Sequence, residues 1–363
     1  MKFDADRAFM ERALFLAARG RGSTSPNPMV GAVIVSPEGV VVGSGFHEAA
    51  GGPHAEIVAL REAGARAHGA TLYCTLEPCC HVGRTGPCTR RIVAAGIRRV
   101  VAALRDPNPQ VAGGGFADLR TAGVQVDEGV CAEEAARLNA AFFTWIRRNR
   151  PHVTLKIALT LDGKVAAPGG RLMSITSEAS NRWIHRERAA IDAIAVGSGT
   201  VAADDPRLTA RGAWRARPLV RVIFDRKLRT PPSARLLSTS AAGPVIIMST
   251  AAGISAHPDR ARALERAGAE VEAMPGDELT GGLERLAQRG VTSLLLEGGP
   301  RLQHAFWSAG CVDRLQLHIA PVTAGAAGVG WLSPGDLPLP VGPVLVRACG
   351  PDVRVEIDVH RPD

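Results

Sequence analysis

Four residues in the first quarter of the chain could do chemistry together: His54, Glu56, Cys79 and Cys88. A histidine and two thiols supply the three protein ligands of a catalytic zinc, whose fourth position stays open to water, whereas a structural zinc fills all four. Bound zinc brings the pKa of its water down toward about 7, which yields a nucleophile for an amidine carbon at neutral pH. A proton must then reach the leaving amine. Glu56, in the same first helical turn as His54, can carry it without binding the metal. The chemistry of such a set is hydrolytic deamination. Singly, each residue reads more blandly: a lone histidine as a satisfied core or surface group, a lone thiol as a small buried hydrophobe.

The elements that must position these four follow from pattern. Asp4 or Asp6 can cap a first helix whose Met10, Ala13, Leu14 and Ala17 make one apolar face. After the loop Ser25-Pro26-Asn27-Pro28, two β-rich runs at 30–35 and 40–45 joined by Pro37-Glu38-Gly39 read as a hairpin. Prolines on both sides hold Asn27 extended, where it could bond a pyrimidine edge or simply be a turn residue. A helix over 55–63 carries Glu56, and a strand over 70–76 places Cys74 on one face with Leu72 and Leu76, as core. A helix over 89–95, stopped by Gly96, puts Cys88 at an N-terminus, where the macrodipole favours a thiolate. A strand over 98–104 leads into the polar loop Asp106-Pro107-Asn108-Pro109. One helix over 133–146 connects to Arg147-Arg148-Asn149-Arg150-Pro151, read as a solvated linker. Alternating strand and helix predict a layered α/β domain.

His-x-Glu opening a helix, then a strand, then Pro-Cys in a turn, then Cys at a second helix start is the pattern of zinc deaminases. Here Cys79 and Cys88 are separated by eight residues and not two. His81, inside that interval, competes with His54 as the imidazole ligand.

The second half is again α/β, with strands predicted over 153–159, 193–196, 219–225, 245–249, 292–297 and 315–320. Gly197-Ser198-Gly199-Thr200-Val201-Ala202 fits a dinucleotide-binding glycine pattern, but Asp204-Asp205-Pro206 interrupts the helix that a Rossmann unit requires. A Rossmann fold is therefore excluded. Glu297-Gly298-Gly299-Pro300-Arg301-Leu302 places a glycine pair between a strand and a helix N-terminus, where backbone N–H groups can take a phosphate or form an ordinary tight turn.

The widened run Pro78-Cys79-Cys80-His81-Val82-Gly83-Arg84-Thr85-Gly86-Pro87-Cys88 resembles the bifunctional riboflavin-biosynthesis deaminase/reductase family. Gly86 departs from the family's usual Thr-Pro-Pro-Cys ending but leaves the ligand types unchanged. Cys79 occupies the family's ligand position, which demotes Cys80. The second half resembles the family's reductase in Leu161-Asp162-Gly163-Lys164, Ile175-Thr176-Ser177, the run from Gly199 to Pro206, and Glu297-Gly298-Gly299-Pro300. The resemblance implies a cytidine-deaminase-like three-layer domain over 1–146 and a dihydrofolate-reductase-like domain over 151–363. In the first, Asn27, His47, Arg84, Asp106 and Asn108 would contact the substrate. In the second, Ala158, Ser174, Thr200, Asp204, Gly299, Pro300, Arg301 and Leu302 would touch NADPH, while Leu172, Arg188, Leu208, Arg211 and Glu297 would hold the substrate. Arginine forks suit its phosphate. The implied activity is zinc-dependent deamination of a diaminopyrimidinone ribosyl phosphate, then NADPH-dependent reduction of its ribosyl group to ribityl.

The bulk properties fit that expectation. At 363 residues the chain calls for two domains, and its net charge of +8 is divided evenly between the halves. No basic stripe emerges, and at 4% aromatic the chain lacks the rings that a nucleic-acid base deaminase with an accessory binding domain, the alternative, would need for stacking. A third class, a non-catalytic zinc-stabilised binding protein, would close the site with a fourth ligand. Four of the seven cysteines crowd into positions 74–88, a metal-site usage that points to a reducing compartment. A charged first 20 residues and the lack of a long apolar run predict a cytoplasmic protein with no membrane segment. Self-association is left open.

Overall fold

A computed structural model describes residues 2–81, 86–109, 111–171, 173–331 and 344–359, and the chain divides between Arg148 and Asn149 into two compact units. The first runs α1 (Lys2–Ala18), β1 (Gly31–Val35), β2 (Val41–Phe46), α2 (Ala55–Ala63), β3 (Thr71–Cys74), α3 (Cys88–Ala94), β4 (Arg99–Ala102), α4 (Gly114–Thr121), β5 (Gln125–Glu128), α5 (Ala132–Leu138) and α6 (Ala140–Arg148). Its sheet has the order β2-β1-β3-β4-β5. β1 is antiparallel to both neighbours, while β3, β4 and β5 are parallel. Successive side chains of a strand face opposite ways. Accordingly Ala32 and Ile34 pack with Ala55, Ala59 and Ile92 on one face, and Val33 and Val35 pack with Met10, Ala13 and Ala135 on the other. The result is three layers. α1 lies so close to β1 that a Cβ on Gly31 would stand 2.0 Å from the Ala13 carbonyl oxygen.

Three local expectations are corrected. α1 begins at Lys2, so positions 4 and 6 fall inside the helix and not at its N-cap. Asp6 is buried and accepts instead from the Tyr73 hydroxyl at 2.7 Å and from two Arg99 nitrogens at 2.8 Å. The connecting helix is two helices, because Asn139 leaves helical geometry (φ −101°) and its buried amide exchanges hydrogen bonds of 2.8 and 2.9 Å with the Met29 backbone. Arg150 is no solvated linker residue: it is buried and makes a two-pronged ion pair with Asp313 at 2.6 and 2.8 Å.

The second unit runs β6 (His152–Thr160), β7 (Lys164–Ala166), α7 (Glu178–Ala190), β8 (Ala193–Gly197), α8 (Ser198–Asp204), β9 (Val220–Phe224), β10 (Val245–Ser249), α9 (Ala251–Ala256), α10 (Pro258–Arg266), β11 (Ala269–Ala273), α11 (Leu279–Gln288), β12 (Ser293–Leu296), α12 (Pro300–Ser308), β13 (Arg314–Ala320), β14 (Val329–Gly330), β15 (Val344–Cys349) and β16 (Asp352–Asp358). Nine strands pair in the order β11-β10-β9-β8-β12-β6-β13-β16-β15, and β7 pairs with β14. The pairing is parallel from β11 to β13 and antiparallel through β16 and β15. Leu155, Ile157, Val222 and Leu294 pack with Leu283, Leu286 and Phe306 on one face, and Ile194, Val196, Ile223 and Ile247 with Ala261 and Leu264 on the other. α8 stops at Asp204 and Asp205 turns left-handed (φ 39°), so the short helix that bars a Rossmann unit is present.

Candidate active sites

In the first unit, two helix starts and a turn bring the metal-ligand candidates together. His54 is the N-cap of α2 and Cys88 the first residue of α3, while Cys79 follows Pro78 beyond β3. His54 Nδ1 lies 3.3 Å from Cys88 Sγ and 3.5 Å from Cys79 Sγ, and the three ligand atoms all fall within 4.8 Å of one another. Zinc bonds of about 2.0 Å to nitrogen and 2.3 Å to sulfur at a tetrahedral angle give a nitrogen–sulfur edge of roughly 3.6 Å, so this donor set fits zinc. The backbone N–H of Cys88 donates to Cys79 Sγ at 3.4 Å. Hydrogen bonding from the Cys88 thiol and from His54 pulls the Cys79 pKa down, and the same contact with Cys79 together with burial pushes Cys88 up, so the pair favours one thiolate on Cys79. Among the described residues this is the group that can gather on one ion, and His81 lies outside it, on the exposed rim. Cys74 is fully buried, its thiol pushed well up by burial.

Glu56, in the first turn of α2, is buried at 3% exposure, and burial raises its pKa against the pull of His54. A carboxyl so placed can hold or release a proton nearer neutrality than an ordinary one. It stands in the wall of a cavity of about 200 Å³ that is also lined by Asn27, His47, His54, Asp106, Asn108 and Phe142. His47 is buried and meets the Pro53 carbonyl through Nδ1 (3.0 Å) and the Asn27 amide nitrogen through Nε2 (3.1 Å). Burial lowers its pKa, which keeps it neutral, with Nδ1–H donating to Pro53 and Nε2 accepting from Asn27. With both ring nitrogens so engaged, His47 orients Asn27 and has no free nitrogen for a phosphate. Burial raises the Asp106 pKa to about 6, and Asp106 accepts from the Asn108 backbone N–H at 2.8 Å. Arg84 lies outside the described residues.

One residue the sequence reading missed builds this wall. Buried Glu77 accepts backbone N–H bonds from Asp106 (3.1 Å), Gly113 (2.9 Å) and Phe116 (3.2 Å), which fixes Asp106 to Gly113 and to the start of α4. An acidic side chain just beyond a buried strand, immediately before Pro78-Cys79, was its local mark, but its backbone partners are brought in only by the fold.

In the second unit a cavity of about 1090 Å³ opens beyond the ends of β8 and β9, lined by Thr200, Asp204, Gly299, Pro300, Arg301 and Leu302, all singled out from sequence. Its lining does not include Ala158 or the exposed Ser174. The Gly299 N–H is not free for a phosphate: it donates to Thr200 Oγ1 at 3.1 Å and so ties the glycine turn to α8. Arg226, Lys227 and Arg229 also line this cavity and went unnoticed in the sequence.

Glu297, just beyond β12, accepts from both prongs of the Arg188 fork at 2.8 Å, with Lys156 Nζ 3.7 Å away. Burial opposes its ionisation, but Arg188 and then Lys156 outweigh burial and hold the carboxyl down at about 2. The Arg188 fork is therefore committed to Glu297 and not offered to a phosphate. Lys156, missed from sequence, sits on the β6 face opposite Leu155 and Ile157. Arg211 lies against the His185 ring (3.3 Å), and the Leu208 side chain belongs to the core, with its backbone left-handed at φ 51°. Leu172 lies outside the described residues.

Two family models match this chain: the cytidine and deoxycytidylate deaminase zinc-binding region over residues 4–104 and the RibD C-terminal domain over residues 151–355. The riboflavin biosynthesis protein RibD of Aquifex aeolicus (strain VF5) is 45% identical, over 92% of this chain and 91% of its own. The chain belongs to the RibD family. RibD of Escherichia coli (strain K12) is 39% identical over 97% of this chain and 99% of its own. Among solved structures, Acinetobacter baumannii RibD superposes with a TM-score of 0.86 at 35% identity, covering 99% of both chains. A Thermotoga maritima diaminohydroxyphosphoribosylaminopyrimidine deaminase/5-amino-6-(5-phosphoribosylamino)uracil reductase does so with a TM-score of 0.85 at 35% identity, covering 99% of this chain and 100% of its own. As a RibD protein the chain is a bifunctional deaminase and reductase of riboflavin biosynthesis, with a zinc-binding deaminase fold before a reductase fold that uses NADPH. The nucleic-acid deaminase alternative is set aside by that membership.

Proposed function

We propose that the first unit, ending at Arg148, removes a ring amine from a diaminopyrimidinone ribosyl phosphate, and that the second, from Asn149, reduces the ribosyl group to ribityl phosphate with NADPH. The observation that carries the reading is buried Glu56 beside the His54, Cys79 and Cys88 triangle in a ring-sized cavity. Those three residues would hold zinc, which when bound makes water nucleophilic at neutral pH. Glu56 takes a proton from the attacking water and returns it to the departing amine, so that ammonia leaves and oxygen replaces it. Asn27, held by His47, and the Asp106–Asn108 loop, held by Glu77, orient the ring.

In the second unit the 1090 Å³ cavity is large enough for a dinucleotide, and Thr200, Asp204 and the Gly299–Leu302 turn would line it. Arg226, Lys227 and Arg229 give that cavity a cationic side suited to the extra phosphate of NADPH. Glu297, with Arg188 and Lys156, forms a charged group suited to ribosyl hydroxyls. The partner is a small molecule and neither nucleic acid nor membrane. No helix among the described residues is long and apolar enough to cross a membrane, and all seven cysteines are free, which together support a cytoplasmic location.

The test is purified zinc-loaded protein incubated with the diaminopyrimidinone nucleotide, with and without NADPH, and its products identified by mass. Ammonia and the deaminated nucleotide are expected without NADPH, and the ribityl compound with it. Unchanged nucleotide in both arms would overturn the reading.

A further inference from the structure

The break between α5 and α6 does more than end a helix. Asn139 ties the Met29 backbone, two residues from Asn27, and its carbonyl accepts the Phe143 N–H at 3.0 Å as α6 begins. Phe142 and Phe143 then part: Phe143 is buried at 3% exposure and carries Arg147 over its ring at 5.2 Å, whereas Phe142 is half-buried and lines the deaminase cavity. Phe142 lies three residues beyond Asn139, in the first turn of α6. Among the described residues that line that cavity, Phe142 supplies the only phenyl ring, and the same lining holds the polar side chains of Asn27, Glu56, Asp106 and Asn108.

Size narrows what this ring meets. The cavity, about 200 Å³, is smaller than the roughly 300–1,000 Å³ that enclose a drug-sized ligand, so it takes a single heterocycle and leaves the ribosyl phosphate toward the mouth. A flat ring there has its polar edge satisfied by the amide and carboxylates and needs an apolar surface for its face. We infer that Phe142 is a positioning residue for the deaminase, the platform on which the pyrimidine face stacks, with Asn139 fixing that platform to the loop that carries Asn27. The inference rests on the deaminase reading and adds to it a residue outside the zinc and proton-transfer machinery.

The experiment compares the zinc-loaded full chain with Phe142→Ala and Phe142→Leu, measuring kcat and KM for deamination of the diaminopyrimidinone nucleotide, bound zinc, and the thermal midpoint. Removing a stacked aromatic side chain is expected to raise KM by roughly 5- to 100-fold in both variants. Zinc content should stay at the wild-type level and kcat should change less than KM. A Phe142→Leu variant with wild-type KM overturns the inference, because apolar volume without a ring would then suffice. So does a fall in kcat with KM unmoved, which would mark a purely structural role. If Phe142→Ala fails to fold, Phe142→Leu decides alone. A wild-type chain that releases no ammonia overturns the deaminase reading and this inference together, whereas active wild type with unaffected variants overturns this inference only.

Discussion

Glu56 and Glu297 are both buried carboxyls beside basic side chains, yet their surroundings push them in opposite directions. Glu56 meets one imidazole and two sulfurs, and burial wins. Replacing it with Gln keeps the volume and removes the proton carrier, so deamination is expected to fall by about 10²–10⁴-fold while bound zinc, read by metal analysis, stays near wild type. Loss of zinc from Glu56→Gln would show that the carboxylate is a ligand. Glu297 meets a full arginine fork and a lysine, and these outweigh burial to hold it near 2. Its folded pKa lies below the ordinary value of 4.5, so the pairing contributes stability that is present above that pH and lost as pH falls through about 2. That contribution is roughly 3 kcal/mol. Glu297→Gln is expected to lower the stability of the second unit by about that much at pH 7, with the gap to wild type closing toward pH 2 in denaturant titrations. The same variant should weaken reduction while deamination continues, so the deaminated nucleotide accumulates; a gap that does not change with pH would rule out the charged pairing.

Elements were legible where one signal dominated. The helix over 55–63 matches α2 residue for residue, with His54 as its N-cap and Gly64 ending it at φ 56°. The Asn139 break was not legible. Its cause is a pair of hydrogen bonds to Met29, 110 residues away, and no local pattern in an apolar, helix-forming run announces them. The Glu77 clamp and the basic turn at 226–229 were hidden in the same way, since their roles come from partners brought in by the fold. That turn is built on Leu228, buried at 1% exposure with φ 49°, which anchors its neighbours beside the cavity. Packing between elements also makes a sharp demand on Gly31. A methyl there would meet the Ala13 carbonyl at 2.0 Å, so Gly31→Ala must push α1 off β1. A cost of about 1–3 kcal/mol is expected, seen as a lower thermal midpoint of the first unit. An unchanged midpoint would mean that α1 packs less closely than described.

At the scale of the molecule, each unit has its own sheet and its own two cores, and the zinc-ligand candidates all belong to the first. A fragment beginning at Asn149 is therefore expected to fold, bind NADPH and reduce the deaminated nucleotide when that compound is supplied, with or without a chelator. The starting residue matters. Arg150 and Asp313 form a buried two-pronged pair, and Asp313 also accepts from the Val153 N–H at 2.8 Å, the residue that leads β6 into the sheet. A fragment beginning at His152 would leave Asp313 buried without its arginine, a loss of about 3–5 kcal/mol. The longer fragment should thus unfold at clearly higher denaturant than the shorter one, and adding Asp313→Asn to the shorter should recover part of the difference by removing the stranded charge. If the longer fragment is folded by circular dichroism yet binds no NADPH in a fluorescence titration, the assignment of the cofactor to this unit alone fails. If both fragments unfold together, the pair contributes nothing, and the boundary can be moved past Arg150 without loss.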